Sequence, residues 1–156
     1  QRWKFELAGA GRAGRVHTKV EFSRRGTEEE YALEPALAEV VRPYGIPAPT
    51  VNHYTAAAAI RQKIASLAGR RAAQARDIWD LDHLFRTSRA DPRPLAPQIL
   101  SFLETAIERT IDFPYETFKA QVVPFLAADR QEIYGTRESW HRIQELVVAR
   151  MQELGP

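Results

Sequence analysis

Apolar and polar residues alternate in two short stretches near the start of the chain, then recur at helical spacing over roughly its last two thirds. The first stretch, residues 2–7, and the second, residues 16–22, both follow the two-residue period of a strand. On the second, Val20 and Phe22 share one face while Lys19, Glu21 and Ser23 share the other. The intervening residues 8–15 are rich in glycine, which predicts a hairpin. A two-stranded hairpin is marginal by itself, so it should belong to a larger sheet.

Residues 24–54 carry no long period. Gly26 and the run Glu28, Glu29 and Glu30 read as a solvated loop. A short helix is predicted over residues 35–41, and Pro43, Pro47 and Pro49 mark an extended connector. A short strand is expected at residues 51–54. From Thr55, a plausible N-cap, the pattern becomes helical. Helices are predicted over residues 56–68, 72–87, 96–110, 115–126 and 137–154. The fold class is therefore α+β: an N-terminal β-hairpin and linker (residues 1–54), followed by a helical domain of about five helices (residues 55–156).

The helical faces separate core from chemistry. Ile60, Ile64 and Leu67 form one apolar stripe with Lys63 on its flank, and Arg70 falls near the same side. A lysine there can lay its stem along the apolar surface and deliver its ammonium to a cleft. On the next helix Ile78, Leu81, Leu84 and Phe85 form the apolar arc, and Asp77 falls inside it near the helix start. Asp80 sits at the edge of the arc, where an i,i+4 pair with Arg76 is the plain structural alternative. Trp79 projects away from this face, towards a separate packing contact, and Asp82 pairs with Arg86 as a solvated couple. Trp140, Ile143, Leu146, Val147, Met151 and Leu154 read as core.

Composition narrows the classes. The chain has 156 residues, 44% apolar and 27% charged, and a formal net charge of +2. That charge forces neither a nucleic-acid nor a membrane partner. All but four of the 22 basic residues are arginine, the side chain whose planar fork suits phosphate and carboxylate. Five of the basic residues (Arg61, Lys63, Arg70, Arg71, Arg76) fall between positions 61 and 76 with no acid among them, and Asp77, Asp80 and Asp82 follow at once. The absence of cysteine removes disulfides and thiolate catalysis. No apolar run is long enough to span a membrane, and the lack of cysteine fits a reducing cytoplasm. The start at Gln1, directly before a strand, reads as a piece of something longer.

Several familiar sites are excluded. Residues 9–14 formally fit G-x-G-x-x-G, yet they lie between two strands and not between a strand and a helix. His17, His53, His83 and His141 have no H-x-x-x-H spacing, and no nucleophile elbow is present.

Lys63 and Arg70, followed by Arg76, Asp77, Asp80 and Leu81, resemble the paired C-terminal signatures of the AbiEii/AbiGii-type nucleotidyltransferase toxins of type IV toxin–antitoxin systems. The strand around residues 19–25 resembles the one these proteins carry before their helical half. The resemblance implies a polymerase-β-like nucleotidyltransferase sheet, of which the hairpin is a remnant, with an added helical domain. It implies transfer of a nucleotidyl group from an NTP to an acceptor such as tRNA, with Mg2+ held by carboxylates, and a cognate antitoxin. Lys63 would contact the NTP phosphates, with Arg70 and Arg76 as further phosphate contacts. Asp77 and Asp80 would organise the site and orient Lys63. Glu21 is a candidate metal-site carboxylate. The family's N-terminal signature, a Gly-Gly or Gly-Ser turn followed by an Asp-x-Asp/Glu strand, does not occur, so this chain is expected to be inactive when isolated. The alternative is a noncatalytic helical module that binds RNA or a partner protein through Arg61, Arg70, Arg71 and Arg76.

Overall fold

The computed structural model describes residues 2–8, 15–21 and 30–155. Strands β1 (Arg2–Ala8) and β2 (Arg15–Glu21) pair antiparallel, with Arg2 opposite Glu21 and Ala8 opposite Arg15. This is the expected hairpin. A second two-stranded sheet follows, made by β3 (Tyr31–Pro35) and β4 (Thr50–Tyr54), again antiparallel, with Tyr31 opposite Tyr54. The rings of Tyr31 and Tyr54 stack with centroids 5.0 Å apart. Between these strands lie helix α1 (Ala38–Val41) and a 3-10 turn over Arg42–Tyr44, closed by Gly45 in the left-handed region at φ 62°.

Strand β4 was expected; β3 was not. Residue 35 was assigned to a helix, whereas Pro35 closes a strand. The acidic run before Tyr31 masked the alternation of Tyr31, Leu33 and Pro35, and pairing with β4 decided the conformation. Local preference is a weak guide when a partner strand supplies the hydrogen bonds.

Six helices complete the chain: α2 (Ala56–Gly69), α3 (Ala75–Thr87), α4 (Pro97–Ile111), α5 (Tyr115–Gln121), α6 (Ala128–Tyr134) and α7 (Arg137–Gln152). All five predicted helices are present, and the α+β class holds. The fourth is shorter than expected. Pro124 lacks an N–H to continue the helical ladder, so α5 stops at Gln121 and a 3-10 turn covers Val123–Phe125. Helix α6 was missed because seven residues carry too little periodicity to be seen. It ends at Gly135, where a Cβ would meet the Gln131 carbonyl oxygen at 2.5 Å.

The core lies among α2, α3, α4, α5 and α7. Ile60, Ile64 and Leu67 of α2, Ile78 and Leu81 of α3, and Ile143, Val147 and Met151 of α7 are fully or almost fully buried, as their spacing predicted. Burying each such side chain stabilises by about 1.5–3 kcal/mol. Trp79 makes its own contact, edge-on to Tyr134 at 4.8 Å, while Phe118 stacks on Trp140 at 4.3 Å.

Helix ends are tied to side chains from elsewhere. Thr55 and Thr136 cap α2 and α7 locally, accepting from Ala58 N and Ser139 N. The C-terminus of α2 is instead closed by Arg109 of α4, which donates to the carbonyls of Leu67 (2.9 Å) and Arg70 (2.7 Å). Gln121 accepts from the Ala75 N–H that opens α3. Gln144 donates to the Thr110 and Ile111 carbonyls at the end of α4. Each contact satisfies a backbone group that a helix end leaves unpaired. They tie α4 to α2, α5 to α3 and α7 to α4.

Candidate functional site

Lys63 leaves α2 one residue before the buried Ile64, and its stem runs beside the apolar stripe. Its Nζ lies 3.2 Å from Asp77 Oδ1 and 2.5 Å from Asp80 Oδ2. The two acids stand three residues apart on α3, so both face α2 from one side of their helix. Arg70, just past the end of α2, brings Nε to 3.0 Å from the other Asp77 oxygen, Oδ2. The angle of that approach leaves both atoms buried without a formed hydrogen bond. The result is one cluster of two cations and two carboxylates around the short connection between α2 and α3.

Exposure is graded across the cluster. The Asp77 side chain is 0% exposed, Lys63 22%, Arg70 38% and Asp80 40%. Asp77 sits in the first turn of α3, where the helix dipole also favours negative charge. A buried carboxylate between two cations is a fixed element, since removing one member of such a set leaves uncompensated charge. Asp80 is the outer member, reachable from solvent.

The structure thus brings together Lys63, Arg70, Asp77 and Asp80. Arg76 is exposed and forms no pair with Asp80 among the described residues. Asp80 turns to the Lys63 ammonium across the helix–helix contact instead. Asp82 does pair with Arg86, Nε to Oδ1 at 2.8 Å, but it is buried and not solvated, and burial raises its pKa above the ordinary carboxylate value while Arg86 opposes the shift. Glu21 is the last residue of β2, and its side chain lies outside the described ones.

Of the four arginines proposed for a binding module, Arg61 donates to the Pro92 carbonyl at 3.0 Å and Arg70 addresses Asp77. Arg71 and Arg76 are the exposed members. Arg109 escaped the sequence reading altogether. An arginine in the last turn of α4 looks like an ordinary complement to that helix's own dipole, and nothing local signals that it reaches the end of α2.

A second charged region, about 370 Å3 in volume, lies beside Phe85, Arg89, Asp91, Arg93, Arg150 and Glu153. Its charges largely satisfy one another: Arg93 grips Asp91 with two nitrogens and holds its carboxyl at about 2, and Arg150 pairs with Glu153 at 2.7 Å.

Among the described residues no group of three or more His, Asp or Glu side chains could hold a metal ion. Asp77 and Asp80 face Lys63 and Arg70, which occupy the positions that cations would take. Asp80 and Asp82 formally make an Asp-x-Asp, but two residues apart on a helix they point in different directions, one to Lys63 and the other to Arg86. Among the described residues no helix is long and apolar enough to cross a membrane.

No curated protein and no solved structure matches the chain. The family model described as "Nucleotidyl transferase AbiEii toxin, Type IV TA system" matches residues 1–150, a span that contains the whole Lys63–Arg70–Asp77–Asp80 cluster. The chain therefore belongs to the AbiEii nucleotidyl transferase toxin family.

Proposed function

We propose that the protein takes part in transfer of a nucleotidyl group from an NTP to an acceptor hydroxyl such as that of a tRNA, with Lys63 as the phosphate contact. In that reaction the hydroxyl oxygen bonds to the α-phosphorus, the bond from that phosphorus to the bridging oxygen breaks, and pyrophosphate and a proton leave. Charge builds on the phosphate oxygens, and a preorganised ammonium opposes it. The observation that carries the reading is the convergence of Lys63, Asp77 and Asp80 within a chain of this family.

Each residue then has a distinct role. Lys63 meets the phosphates, and Asp77, fixed by burial, aims its ammonium. Arg70 holds the second Asp77 oxygen and offers its exposed edge to an anion, while Arg76 is an outlying phosphate contact. The hairpin and linker, residues 1–54, belong to the nucleotidyltransferase sheet, and residues 55–156 form the helical domain that carries the lysine. Glu21, whose side chain lies outside the described ones, is a candidate carboxylate for a metal. The cytoplasm, where NTPs and tRNA meet, is the place of action, and a cognate antitoxin restrains it.

Expression of the whole protein tests the reading. Lys63→Ala is expected to abolish growth arrest while the protein, destabilised by loss of one partner of Asp77, still accumulates in folded form. Growth arrest that survives the substitution, in a protein made at equal level, removes the phosphate role.

A further inference from the structure

The four charged groups of the cluster sum to zero. Lys63 and Arg70 carry one positive charge each, and Asp77 and Asp80 carry one negative charge each. A cluster with no surplus charge has little attraction for an anion, however many cations it contains. If Lys63 receives phosphate, as the reading above holds, one carboxylate must first give it up.

The geometry distinguishes the two acids. Asp77 has no exposed surface, and its two oxygens address Lys63 and Arg70 separately. Moving it would leave two partly buried cations without a partner, which is strongly unfavourable. Asp80 is 40% exposed and, among the described residues, has a single cation partner, Lys63. Its carboxylate can turn into water and be solvated there, and a pair open to solvent is weak enough to exchange. Lys63 would then keep its contact to Asp77 and remain aimed, with the N–H released by Asp80 directed at the newcomer.

We infer that Asp80 is an exchangeable counter-ion of Lys63. It masks the ammonium in the empty site and is displaced by an incoming polyphosphate, while Asp77 stays in place as the fixed anchor. Asp80 thereby lowers affinity for bare phosphate anions and acts as a specificity-determining residue. This inference rests on Lys63 being a phosphate contact.

The experiment is titration calorimetry with inorganic tripolyphosphate in EDTA, using the chain described here. Asp80→Asn removes the competing charge at nearly constant shape, and Asp80→Ser serves in its place if the amide variant does not fold. The expected result is binding about tenfold tighter than the parent, equivalent to ~1.4 kcal/mol. Asp80→Glu, which keeps the charge, should stay within about twofold of the parent on the same scale. Lys63→Ala combined with Asp80→Asn should lose the gain. If Asp80→Asn binds no tighter than the parent while Lys63→Ala still weakens binding, the counter-ion role is overturned and the phosphate contact stands. If Lys63→Ala leaves tripolyphosphate affinity unchanged in both backgrounds, both are overturned.

Discussion

Between α2 and α7 the helices turn apolar faces into a shared core, whereas β3 and β4 bury no residue. In the first region Ile60, Ile64, Ile78 and Leu81 have no exposed surface. In the second Leu33 is 71% exposed, and Tyr44, in the turn between the strands, is 77% exposed. The difference explains where the charged cluster stands. A buried carboxylate such as Asp77 needs rigid neighbours to keep its cations within reach, and only the helical region supplies them. Among the contacts of the β3–β4 sheet are its backbone ladder, a tyrosine stack and the approach of His53 Nε2 to Glu34 at 3.4 Å, all at exposed or half-exposed residues.

Substitutions at matched depth can break or sharpen this contrast. The largest expected effect is Asp77→Ala, which strips the buried partner from both Lys63 and Arg70. Breaking a buried pair in this way costs roughly 3 kcal/mol, and a urea unfolding curve should show the midpoint fall without a matching change in slope. A loss under about 0.5 kcal/mol, the level of an ordinary surface change, would mean that the cluster lies on the helical region without belonging to its frame.

A smaller, pH-dependent effect is expected at Asp82. Burial raises its folded-state pKa, so the folded protein binds this proton more readily than the unfolded chain. The contribution of Asp82 to stability therefore falls as pH rises from about 4 through its raised value, and is level above that. Asp82→Asn removes this slope. Measured against the parent, the variant should gain under ~1 kcal/mol between acid and neutral pH. A relative loss over the same interval would mean that the ion pair with Arg86 outweighs desolvation.

The smallest effect is predicted in the exposed sheet. Leu33→Ser should change unfolding free energy by no more than about 0.5 kcal/mol. A loss of 2 kcal/mol or more, typical of core truncation at about 2–5 kcal/mol, would show in a urea titration and would mean that Leu33 is covered in solution.

What could be read from the chain before its structure follows the same division. The core faces of α2, α3 and α7 were legible because helical period alone places Ile64, Leu81 and Val147 inward. Asp77 was legible as the odd carboxylate within an apolar arc, and Trp79 as an aromatic off that arc. The Lys63–Asp80 contact came only from the family resemblance, because by spacing alone an i,i+4 partner at Arg76 served equally well. Only the approach of α2 to α3 decides between them. The closures by Arg109, Gln121 and Gln144 were hidden for the same reason: each joins residues more than thirty positions apart. Strand β3 was lost because its partner, and not its own composition, makes it a strand.

The central claim is that the ammonium held by Asp77 and Asp80 serves phosphate chemistry. Transfer of label from an α-32P NTP to tRNA by the whole protein, compared with its Lys63→Ala variant at a temperature where both are folded, tests it most directly. Loss of the order of 100-fold or more in rate is predicted, as for removal of one preorganised charge-stabilising group. An undiminished rate in the variant would contradict it.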